Sequence, residues 1–131
     1  MNNKIEYFVK IIVANYFHEQ SFNVLEAGTA QGNDSRELCV LLPNANIYGF
    51  EPDSRYHSQV HQNTCAYSNF SFCKMALSDK PGTTKFYQAD RVTPTESSHW
   101  GSSSIFAPKL HKEIHTDIKF NSVVEVETTD I

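Results

Sequence analysis

Cysteine is scarce and unpatterned in this chain. Cys39, Cys65 and Cys73 are odd in number and form no CxxC pair, so neither a disulfide framework nor a structural zinc site is indicated. Long apolar runs are missing as well: nothing approaches the roughly 18 residues of a membrane span. The opening MNNKIEYFVKIIVANYFHEQ has no basic region followed by an uninterrupted apolar stretch. The start therefore reads as mature and soluble, with no membrane partner, and a reducing cytoplasmic setting is expected. Basic charge is also in deficit, with 11 Lys and Arg, all scattered, against 15 Asp and Glu. Phosphate binding usually leaves a basic patch, which argues against a nucleic-acid partner and for a small acceptor.

What remains is ordinary for one soluble domain. The 131 residues suffice for one core and are too few for two ordinary domains. Ile5, Phe8, Val9, Ile12, Val13 and Tyr16 recur at helical spacing, which predicts an amphipathic helix over 3–19 lying on a sheet face. Phe22 to Ala27 reads as a buried strand. Asp34 with Glu37 three residues on resembles a capping box that opens a helix running to Leu42, and Pro43 stops it. NIYGFE, 46 to 51, predicts a second strand. Asp53 to about Thr64 predicts a polar helix anchored by Tyr56 and Val60, and FSFCKMAL, 70 to 77, a third strand.

After the turn Asp79-Lys80-Pro81-Gly82 the periodicity changes. Thr84 to Tyr87 and Ser122 to Thr128 are short β-like pieces, and Gln88 to Ser104 reads as a long polar connection. Loops of that length in a compact domain are usually functional or disordered. The chain thus divides into the N-terminal helix, a βαβαβ part over 22–78, and a β-rich and loop part over 79–131. Strands alternating with helices imply a parallel, right-handed sheet with ligands at the carboxyl ends of the strands.

The chemistry concentrates at those ends. Gly28 and Gly32 follow the first strand, where glycine lets the backbone turn tightly and approach a ligand, and the helix start beyond them presents unpaired N–H groups. Glu51 ends the second strand, where an acid can accept both hydrogen bonds of a ribose diol. The dinucleotide fingerprint wants G-x-G-x-x-G, whereas this chain reads E-x-G-x-x-x-G over Glu26 to Gly32. An acid at Glu26 suits an ammonium group better than a pyrophosphate. S-adenosylmethionine, which carries an amino group, a ribose diol and a sulfonium without phosphate, fits that pair of acids. Against this stand plain turn chemistry for the glycines and a helix-capping role for Glu51 beside Pro52 and Asp53. The i,i+4 pairs His57/His61 and His111/His115 have metal-binding spacing but no evident third ligand, so no metal is expected and they read as solvated helix faces. His99-Trp100 either meets an acceptor or packs a lid.

The segments VLEAGTAQG, IYGFEPD, MALSDKPGTTKFY, WGSSS and VVEVETTDI, in that order, resemble the FkbM-type S-adenosylmethionine-dependent methyltransferases from about residue 22 to Ile131. The resemblance implies an α/β, Rossmann-like methyltransferase fold with a parallel sheet and flanking helices. It implies S-adenosyl-L-methionine held by Glu26, Gly28, Thr29, Gly32, Glu51, Pro52 and Ala76, and transfer of a methyl group to a hydroxyl of a small molecule or glycan. Met75 departs from the family, standing where a polar residue is common. Members continue past VVEVETTDI into a strand with a K-x-D-x-E-G-like motif, whereas this sequence ends at Ile131. The expected sheet is therefore incomplete, and an uncovered strand edge predicts a symmetric homodimer. His99 and Asp130 are the candidates for a general base. The competing readings are a non-catalytic fragment that binds a nucleoside ligand or a partner, and a nicotinamide-dependent oxidoreductase.

Overall fold

The structure is a computed structural model that describes residues 7–12 and 21–131. Of the helix expected over 3–19, residues 7–12 are helical and form α1; the rest lies outside the described residues. Within α1, Val9 packs on the core, whereas Phe8 and Ile12, expected on the same stripe, are exposed.

The first half of the chain builds a three-stranded parallel sheet. β1 (Phe22–Ala27), β2 (Ala45–Phe50) and β3 (Phe70–Cys73) lie in the order β1-β2-β3. Helices α2 (Asn33–Leu41) and α3 (His57–Thr64) make the two crossovers. The core of this half is Cys39, Leu42, Ala45 and Ile47, closed by Phe22, Val24, Leu38, Leu41, Tyr67 and Phe70. These are the inward positions of β1 and β2 together with the apolar stripe of α2, the alternation and helical spacing that burial of one face demands. Tyr56 and Val60 are buried and anchor the α3 region. That helix begins later than its composition suggests, because Asp53 and Ser54 first form turns that accept the Tyr56 and His57 N–H groups.

Two local expectations are corrected. The Asp34/Glu37 capping box does not form: Gly32 occupies the N-cap in a left-handed conformation, and no side chain caps the helix. With the turn already set by Gly28 and Gly32, the chain enters α2 one residue ahead of Asp34, too early for it to cap. The stretch 70–77 is two strands. β3 ends at Cys73, and β4 (Ala76–Leu77) pairs instead with β7 (Ile118–Thr129).

The second half forms its own sheet, ordered β4-β7-β5-β6. β5 (Gly82–Val92) and β7 make a long antiparallel pair, and β6 (Ser97–His99) adds to the far end of β5. A short helix α4 (Leu110–Ile114) precedes β7. Ala76, Phe86 and Val126, with Ile105 against them, make a second core. Much of the polar stretch read as a loop over 88–104 is therefore strand. Thr93 and Glu96 close a hairpin turn by Thr93 N–H to Glu96 O at 2.8 Å and Glu96 N–H to Thr93 Oγ1 at 3.1 Å. The ladder hydrogen bonds hold this hairpin although its side chains are mostly solvated, so no apolar alternation marks it. Among the described residues no helix is long and apolar enough to cross a membrane.

Gly49 sets the closeness of the sheet to the first turn. A Cβ there would lie 2.6 Å from both Phe70 Cζ and Thr29 Cγ2. Gly49→Ala is expected to lower stability by about 1–3 kcal/mol through overpacking. Urea denaturation should show the loss, and an unchanged midpoint would mean that Phe70 and Thr29 move aside freely.

Candidate functional site

The carboxyl ends of β1 and β2 carry the site. Beyond β1 the backbone turns through three left-handed residues, Gly28 at φ 80°, Ala30 at φ 46° and Gly32 at φ 78°. Gly28 and Thr29 both donate to Phe50 O, at 2.8 and 3.1 Å, so the turn is tied to the end of β2. Gly28 has open space where a Cβ would stand, and its glycine is required by φ alone. At Gly32 a Cβ would sit 3.1 Å from Val60 Cα. The close approach expected of this glycine is thus to α3, which presses on α2 at that point, and Gly32 lines neither cavity described below.

Glu51 is the centre of the arrangement. It is 6% exposed, and its carboxylate takes the Ala30 N–H at Oε2 (2.9 Å) and the Asp53 N–H at Oε1 (2.8 Å). The first bond holds Ala30 in a conformation that a residue with a Cβ adopts only when its surroundings over-determine it. Burial pushes the Glu51 carboxyl up, the Asp53 and Ala30 N–H groups pull it down, and the upward effect prevails. Each oxygen spends one acceptor site on the backbone and keeps capacity for another donor. Next to it, His57 Nε2 lies 2.9 Å from the Glu51 carbonyl oxygen with its ring edge-on to Phe72, so this histidine is a packed residue of the α3 start.

A cavity of about 210 Å³ opens against these strand ends. Gly28, Ala30, Glu51 and Pro52 line one side, Met75, Ala76 and Leu77 the floor, and Trp100 to Ile105 the far wall, with Ser102 left out. A groove of about 490 Å³ adjoins it, lined by Thr29, Gln31, Asn33, Asp34 and His99. Ala30, Tyr56, Trp100 and Gly101 belong to both. Thr29 is 4% exposed and its hydroxyl has no partner in the structure, an orphaned buried polar atom beside the turn of the kind that marks a missing ligand or water.

The structure therefore brings together Gly28, Thr29, Glu51, Pro52 and Ala76 of the residues singled out in the sequence, and adds His99 at the groove. Asp130 is exposed beyond the end of β7 and lines neither space. Glu26 lies on the α2 side of β1, where its carboxylate accepts the Ser35 hydroxyl at 2.6 Å, outside both linings. Trp100, read in the sequence as an acceptor contact or lid residue, lines both spaces, whereas Tyr56 and Ser103 had no sequence signal as lining residues beyond the place of Ser103 in the WGSSS stretch. The His111 and His115 rings lie 4.9 Å apart, tilted by 42°, with His111 edge-on to Phe120, and no group of three or more metal-ligating side chains exists among the described residues.

A parallel sheet with flanking helices, a glycine turn and a strand-end carboxylate at a cleft is compatible with a methyltransferase fold. No protein-family profile matches the chain. Among curated proteins it is similar to the 2-O-methyltransferase NoeI of Sinorhizobium fredii (strain NBRC 101917 / NGR234), 28% identical over 106 residues that make up 80% of this chain and 43% of that protein. The chain spans less than half the length of this relative. The similarity supports a methyltransferase family for the chain.

Burial raises the Glu26 carboxyl above its ordinary value, with the Ser35 hydroxyl opposing and the Asp34 charge adding to the rise. A raised native value means that the folded protein gains stability as pH falls and loses it as pH climbs through that value. Glu26→Gln removes this dependence while keeping an acceptor for Ser35. Its melting temperature is therefore expected to match or exceed that of the wild type at neutral pH, with the difference vanishing below the ordinary glutamate range. A variant that melts lower at neutral pH would show that the charge on Glu26 supports the fold.

Proposed function

We propose that this chain carries the cofactor-binding part of an FkbM-type, S-adenosylmethionine-dependent methyltransferase with a Rossmann-like fold, which acts on a hydroxyl of a small molecule or glycan. The observation that carries this reading is Glu51, a buried strand-end carboxylate at the cavity rim whose remaining acceptor sites match a ribose diol. The rest of the lining agrees with it. Phe50, Met75, Ala76, Leu77 and Phe86 give an apolar surface for a purine, the unpartnered Thr29 hydroxyl and the start of α2 suit a carboxylate, and Tyr56 and Trp100 offer aromatic faces to a cation.

When bound, S-adenosylmethionine supplies a methyl group on a sulfonium that leaves with its electron pair and needs no protonation. The protein's share is then positioning, which is where most of the rate advantage of such a transfer resides. A hydroxyl acceptor must also lose its proton. His99 lines the groove with Nδ1 3.1 Å from both Asp90 Oδ1 and Arg55 Nη1; in the tautomer that donates Nδ1–H to the carboxylate, Nε2 is the acceptor of the hydroxyl proton. Glu26 contributes by bonding Ser35 and so fixing the start of α2 behind the turn.

Calorimetry with S-adenosylhomocysteine and with NADH tests the reading. Binding of the former is expected, and Glu51→Ala should weaken it by roughly 1.5–3 kcal/mol, the worth of hydrogen bonds to a charged group. Circular dichroism must show the variant folded, because the substitution also releases the Ala30 and Asp53 N–H groups. Unchanged affinity in a folded variant would reduce Glu51 to a backbone clamp, and binding of NADH alone would replace the methyltransferase by an oxidoreductase.

A further inference from the structure

The far wall of the cavity has little of its own to hold it in place. Residues 97–101 are exposed, β6 is three residues long, and Trp100 keeps 39% of its surface in solvent. At the inner end Ile105 is fastened in the second core. The outer end is fastened by polar contacts that converge on one place. The β5–β7 ladder passes from the pair Gln88/Ser122 to the pair Asp90/Lys119, leaving Ala89 out of register. The extra residue belongs to β7, where Phe120 and Asn121 stand opposite Ala89 alone, and the Ala89 backbone groups lie, like those of Tyr87 two residues earlier, on the edge of β5 away from β7. Ala89 O accepts the Trp100 N–H at 3.0 Å, and Ala89 N–H donates to Ser103 Oγ at 2.9 Å.

Arg55 reaches this point from the turn between β2 and α3. Its Nε and Nη2 grip the buried Asp53 carboxylate at 2.9 and 2.7 Å. Nη1 donates to Asp90 at 2.8 Å and meets His99 Nδ1 at 3.1 Å, while Nη2 also reaches Ala89 O at 3.3 Å and Ser103 Oγ at 3.4 Å. We propose that Arg55 is a positioning residue for the site, a latch that holds the Trp100–Ser104 wall against the Glu51 side of the cavity. This rests on the reading of the cavity as the cofactor site. The planar guanidinium is needed because one face of the fork is spent on Asp53 and the remaining N–H groups must point to three other acceptors at once. A lysine can neutralise Asp53 but cannot bridge to the wall.

Trp100 is the single tryptophan of the chain, so its fluorescence reports the wall directly. In Arg55→Lys, quenching of Trp100 by acrylamide without ligand is expected to rise, and S-adenosylhomocysteine affinity by calorimetry to fall about tenfold, the scale of one lost charge-assisted hydrogen bond. Circular dichroism should stay unchanged. Quenching at the wild-type level in the folded variant would overturn the latch, and would mean that the Arg91 guanidinium, 4.9 Å from the Trp100 ring centre, suffices to hold the wall. Should the lysine variant fail to fold, Ser103→Ala cuts the wall end of the contact while leaving Asp53 paired, with the same two outcomes. Increased quenching together with no ligand binding by either protein would uphold the latch and overturn the cofactor reading of the cavity.

Discussion

The arrangement depends on a carboxylate with no exposed surface. Asp53 is 0% exposed and sits just after the strand end that carries Glu51. An isolated buried carboxylate is costly enough that it must be paired or neutralised. Here burial pushes its carboxyl up, but the Arg55 guanidinium and N–H and the Gln88 amide outweigh that push and hold it below its ordinary range. Two of those partners have consequences beyond charge. Gln88 belongs to β5 and Arg55 contacts Asp90, so satisfying Asp53 joins the parallel sheet to the antiparallel one across the cavity.

Glu51 solves a related problem on the other side. Its two oxygens are used by N–H groups from the turn after β1 and from its own turn, which ties both edges of the cleft to one side chain. The cost appears locally as the positive φ of Ala30. A rigid turn of this kind fixes Thr29 and the start of α2, whose Asn33 and Asp34 line the groove, relative to the strand ends. The close approach of Gly32 to Val60 serves the same end by setting α3, and with it Tyr56, behind the cleft.

Much of the first half could be read in advance. The buried strands at 22–27 and 46–51, the helix that ends before Pro43, and the glycines with Glu51 at a strand end are all local signals, and they lie where burial and a tight turn require. The second half was less legible. β5 and β7 run far beyond the short pieces their composition suggests, because an antiparallel ladder bonds through the backbone and tolerates the polar side chains of one solvated face. The break after Cys73 was hidden for a different reason: FSFCKMAL reads as one mainly apolar run, interrupted only by Ser71 and Lys74, yet its two ends serve two sheets. Glu26 has the spacing of a ligand residue and the contacts of a support for α2.

By itself the sequence determined the order of strands and helices in 22–64, the left-handed turn at Gly28 and Gly32, and the placing of an acid at the ligand edge, since each follows from neighbours a few residues apart. Only the tertiary structure decided which side chains share the cleft. Arg55 meets partners 35 and 48 residues away in sequence, Asp90 and Ser103, and the register shift opposite Ala89 exists only when β5 and β7 are paired. No periodicity announces such contacts, because their stability comes from the mutual satisfaction of buried charges and strand-edge backbone groups once both sheets are in place.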